Sequence, residues 1–144
     1  MMDIRIKSIP HKKQRYETLG DYFYDKKGKL QVRISELPDA VFEKMILIHE
    51  LVELFICEQE GIEIKDIDAF DIKFEKERKK GKHSDDAEPG HDPRAPYRSQ
   101  HIFAENVERL LCDRLGINFD YYSKKLNDFC NNQDKKNDNR KFGR

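Results

Sequence analysis

Apolar residues along this chain keep two rhythms. Ile4 and Ile6, then residues 22–24, then Leu30, Val32 and Ile34 alternate with polar neighbours, the period that turns one face of a strand toward a core. The last two segments flank Asp25-Lys26-Lys27-Gly28, whose glycine accepts the positive φ of a tight turn, so they predict a hairpin. From residue 38 the rhythm changes. Pro38 and Asp39 suit the start of a helix and Gly61 its left-handed end. Between them 12 of the 17 residues 41–57 are apolar, so most of the helix surface should be covered. Residues 64–80 predict a second helix with Ile67, Phe70 and Phe74 on one face, running into the basic stretch 76–82.

Residues 81–98 carry three prolines and two histidines, and these breakers predict an 18-residue loop, a length at which loops are often functional. Ser99 is placed to cap a third helix that Gly116 closes. Residues 119–129 read as a short fourth helix and 131–144 as a polar, mobile tail. The expected fold is α+β: a single domain over residues 1–130, with a small, mainly antiparallel sheet of about three strands packed on four helices.

Composition narrows the partners. At 144 residues there is room for one core, and 28 basic residues balance 28 acidic ones, which argues against a nucleic-acid or acidic-membrane partner. The longest apolar run, residues 45–48, is far below the ~20 residues that span a bilayer. The first ten residues lack the apolar centre of a secretory signal, so a cytoplasmic location is expected. Cys57, Cys112 and Cys130 form no close pair and read as reduced thiols.

The polar residues of the long helix carry the chemistry. Advancing about 100° per residue, His49, Glu50 and Glu53 share one stripe. His49 and Glu53 stand one turn apart, able to reach one ion, and Glu50 sits beside them. That is the physical content of an HExxH metallohydrolase helix, where the two outer side chains hold zinc and the glutamate takes a proton from the water it activates. Here the second ligand is a carboxylate, which zinc accepts and which widens the choice to manganese or iron. The spacing recurs in His101-Ile102-Phe103-Ala104-Glu105, with Glu108 on the same stripe. If the two helices face each other, His49, Glu53 and His101 form a two-histidine, one-carboxylate set, with Glu105 as fourth ligand or as support behind them.

The preceding loop, Glu88-Pro89-Gly90-His91-Asp92-Pro93-Arg94-Ala95-Pro96-Tyr97, offers Arg94 for an anionic group, Tyr97 near an oxyanion and His91 as a substitute ligand. Asp71 is the candidate to orient a ligating histidine. His11 and His83 read as surface residues, and Tyr16, Tyr22 and Phe23 as hairpin packing.

The hairpin, the HELVE helix, the segment Ala69-Phe70-Asp71, the EPGxDPRAPY loop and the HxxAExxERLL helix together resemble an uncharacterised family of small phage and prophage proteins, over about residues 15–115. More distantly, a strand followed by an HExx helix resembles zincin-like metalloproteases. That resemblance implies His49 and Glu53 as metal ligands and Glu50 as general base, with Glu53 standing where zincins carry their second histidine.

The expected activity is a zinc-dependent hydrolase, a peptidase or amidase acting on a peptide or small-molecule substrate. Two alternatives stand beside it. One is a magnesium-dependent nucleotide pyrophosphatase using Glu50, Glu53, Glu105 and Glu108. The other is a non-catalytic phage accessory protein binding a partner through the proline-rich loop.

Overall fold

The computed structural model describes residues 1–142, which form three strands and four helices, an α+β fold. Strands β1 (Ile4–Ile9), β2 (Gly20–Tyr24) and β3 (Leu30–Ser35) lie in the order β1-β3-β2. β2 and β3 form the antiparallel hairpin, with Tyr22 opposite Val32 and Gly28 at φ 76° in the turn. β1 pairs parallel to β3, with Ile6 opposite Val32, so the sheet is mixed. The reason lies in residues 10–19, which cross the end of β3 instead of folding back along its edge.

Backbone bonds hold that crossing: Ser35 N–H donates to Leu19 C=O at 2.8 Å and Glu36 N–H to Ile9 C=O at 2.7 Å. Ser35 Oγ meets His11 Nδ1 at 2.8 Å, and His11 Nε2 meets Glu17 at 2.7 Å. His11 is therefore a buried brace of the crossing, not a surface residue. Alternation along a strand sets which face it buries but not which edge it joins.

Helix α1 (Ala40–Gln59) starts on Asp39, whose side chain accepts the Val41 N–H at 2.8 Å, and stops at Gly61 with φ 75°. Phe42, Met45, Ile46, Leu54 and Cys57 join Tyr22, Val32 and Ile34 in the core. Phe55 remains 64% exposed, so the helix is less fully covered than its composition suggested. Helix α2 (Ile64–Lys79) buries Ile67, Asp71 and Phe74. Helix α3 (Arg98–Leu115) has Tyr97 at its cap position with no side-chain cap bond, which leaves Ser99 inside the first turn. Helix α4 (Phe119–Phe142) runs past the end expected at residue 129 and through most of the segment read as a tail; residues 143 and 144 lie outside the described residues.

Helices α1 and α3 pack side by side. Facing α1, α3 buries Gln100, Ala104, Glu108 and Cys112, spaced by four, while Phe103 and Leu110 on its outer side are 55% and 68% exposed. A helix that turns a glutamate inward and a phenylalanine outward reverses the usual amphipathic rule, and such reversals accompany buried polar sites. Among the described residues no helix is long and apolar enough to cross a membrane. The three cysteines are free thiols.

Candidate metal centre

The reversed stripe of α3 meets the His49 stripe of α1. His49 Nε2 lies 3.0 Å from Glu53 Oε2 and 3.2 Å from His101 Nδ1, and His101 Nδ1 lies 3.0 Å from the same Glu53 oxygen. Three donor atoms from two helices thus close a triangle, as the paired spacings predict. Donors on tetrahedral corners about 2.1 Å from a shared ion stand ~3.4 Å apart, so these separations fit a small ion after opening by a few tenths of an ångström. Two imidazoles and one carboxylate are also a donor set that catalytic zinc takes.

Each donor is oriented from behind. His49 Nδ1 hydrogen-bonds Glu108 Oε1, which directs Nε2 into the triangle. Tyr122 of α4 donates to Glu108 Oε2 at 2.6 Å. Tyr22 of β2 donates to Glu53 Oε1 at 2.8 Å, leaving Oε2 for the site. Residues 20 and 22 share a strand face toward α1, where Gly20 lies against Glu50 and Tyr22 bonds Glu53. A Cβ at Gly20 would fall 2.6 Å from Glu50 Cγ and Oε1, so a side chain there would displace that carboxylate from its present position.

The electrostatics follow from crowding charges in a dry place. Burial by itself would lower both imidazoles. Hydrogen bonds to Glu108 and Glu53 outweigh it at His49, and bonds to Glu53 and Glu88 lift His101 to about 9. Burial works the other way on Glu53, yet bonds from His101 and His49 hold it below the usual carboxylate range. Burial, with the Glu53 charge beside it, raises Glu50. Protons at His49 Nε2 and His101 Nδ1 would set two positive rings against each other at 3.2 Å. One divalent cation at the three donors would replace those two protons and remove that repulsion.

Other expected residues fall differently. Glu105 turns away from the triangle to His91, which holds its carboxyl down to about 2. Arg94 is tied to Asp92 and Glu77 at 2.9 and 2.8 Å and does not line the cleft. Tyr97 does line it, packed edge-on to His101, with its hydroxyl donating to Asp71 at 2.5 Å. Asp71 also accepts from Tyr16 at 3.0 Å and orients tyrosines, not a histidine; burial pushes it up to about 7. Arg15 brings Tyr16 there by bonding Asp21 and Asp68.

The alternation that read Tyr22 as packing was correct about its ring and silent about its hydroxyl. The role of Glu108 was hinted at by its place on the His101 stripe. Nothing in the sequence singled out Tyr122. The cleft above the triangle holds about 220 Å³ and is walled by Glu50, Gly20, Glu88 and Gly90 among others. Comparison with known protein families, with characterised proteins and with solved structures finds no match to this chain.

Proposed function

We propose that this chain is a metal-dependent hydrolase, with zinc the favoured ion, that cleaves a peptide or amide bond. The observation that carries the reading is the convergence of His49 Nε2, Glu53 Oε2 and His101 Nδ1 within 3.2 Å, beside a free-standing Glu50 in the wall of a cleft. His49, Glu53 and His101 would hold the ion. When bound, it supplies Lewis acidity, polarising a carbonyl and making water more acidic. Glu50, in the cleft wall beside these donors, would accept a proton from the attacking water and return it to the leaving nitrogen. Tyr22 and Glu108 keep the donors aimed, and Tyr97 positions the His101 ring. Arg94, paired elsewhere, is given no part.

The pyrophosphatase alternative needs four carboxylates around magnesium. Both oxygens of Glu108 are engaged by His49 and Tyr122, and Glu105 faces His91, so the set is divided.

The test separates binding from turnover. Glu53→Ala should lose most zinc affinity at this centre, measured by competition with a chromophoric chelator. Glu50→Gln should keep zinc and lower cleavage of a fluorogenic peptide library at least 100-fold, the usual scale for a general base. Zinc affinity unchanged in Glu53→Ala overturns the centre. Zinc bound without cleavage in the wild type leaves a binding protein instead of a hydrolase.

A further inference from the structure

The opposite edge of the His101 ring faces a second set of donors. Its Nε2 lies 3.9 Å from Glu88 Oε2. His91 Nε2 lies 3.3 Å from that same oxygen and against Glu105 Oε2. One donor atom from each of Glu88, His91, His101 and Glu105 falls within 4.8 Å of the others. The other oxygen of Glu105 takes Arg109 at 3.0 Å, which leaves Oε2 directed at the cluster. Gly90 makes the arrangement feasible: a Cβ there would sit 2.3 Å from His101 Cγ. The loop backbone therefore lies against the ring and sets Glu88 and His91 beside it.

We propose that Glu88, His91, His101 and Glu105 bind a second divalent transition-metal ion, outside the first and joined to it through the His101 ring. Two imidazoles with two carboxylates and no thiol suit zinc, manganese or iron. A neutral imidazole has one free lone pair. Engaging both nitrogens of His101 sends its Nε2 proton to solvent, so the outer ion binds with proton release. Two cations on one ring repel, so the outer ion is the more weakly held. Its effect is to clamp the Glu88–Gly90 wall of the cleft onto α3. The proposal rests on the hydrolase reading only through the shared His101; Glu88, His91 and Glu105 are its own donors.

The experiment is zinc per chain, by elemental analysis after equilibrium dialysis of the untagged full chain. Wild type is compared with Glu53→Ala, His91→Ala and Glu105→Gln. The His91 side chain is 43% exposed, and Glu105→Gln preserves shape, so these two variants spare the core. Circular dichroism checks that each is folded. The expected result is two ions in the wild type and one in each variant, with hydrogen exchange over residues 88–97 slowed only by the second equivalent. One ion in the wild type and in His91→Ala but none in Glu53→Ala overturns the outer site and leaves the inner centre standing. One ion in the wild type and in Glu53→Ala but none in His91→Ala supports the outer site and overturns the inner. No zinc in the wild type overturns both.

Discussion

Glu108 is 6% exposed, and each of its oxygens has a partner, His49 on one side and Tyr122 on the other. A buried carboxylate of this kind persists because it is fully hydrogen-bonded. It does not touch the proposed ion, so its removal acts through the imidazole it orients. Glu108→Ala should weaken zinc binding about 10–100-fold, the range for supports of metal ligands, and leave a measurable site. Chelator competition checks this, and a variant as deficient as Glu53→Ala would make Glu108 a ligand. The residue scale is also where the sequence was least explicit. On the helical wheel His101 sits between Glu105 and Glu108, about 40° from the first and about 20° from the second, so both lie on its stripe. Only the side on which α1 lies decides that Glu108 serves His49 while Glu105 meets His91.

At the scale of elements, α2 is fastened to the site through Asp71, which receives Tyr16 from the loop before β2 and Tyr97 from the start of α3. Burial pushes this carboxyl up to about 7 from an unfolded value of 3.8, so the folded chain keeps a proton that the unfolded chain releases. Its contribution to stability is complete below pH 4 and is lost as pH rises through 7, by at most ~4 kcal/mol at 1.36 kcal/mol per unit. Urea unfolding of metal-free protein should therefore find the stability gap between wild type and Asp71→Asn shifting against the wild type from pH 4 to 8. A gap independent of pH would show that Asp71 is charged throughout.

Element boundaries that rest on local signals were legible: the Asp39 cap, the Gly28 turn, and the helix ends at Gly61 and Gly116. The parallel placement of β1 was not, because it depends on the crossing at Ser35, where His11 is buried.

Across the whole molecule, the centre joins elements that share no local contacts in sequence: β2 through Tyr22, α1, α3, and α4 through Tyr122. An ion that binds only the folded chain stabilises it by about 2.7 kcal/mol at 100 times its dissociation constant. Chelation should accordingly lower the melting temperature by several degrees, and restored zinc should return it. An unchanged melting temperature at saturating zinc would mean that the ion does not bridge the helices.

The chain by itself determined three strands, four helices and two stripes, His49 with Glu53 and His101 with Glu105 and Glu108, because strand and helix periods are local properties of the backbone. Tertiary structure alone decided which members of those stripes meet. Donor atoms converge only where one helix crosses another, and small Ala104 and Cys112 on α3 join Glu108 in the stripe that packs against α1. The same packing sends Arg94 out to Glu77 and brings the hydroxyls of Tyr22 and Tyr122 in, because a side chain's polar end goes where the surrounding elements leave it a partner.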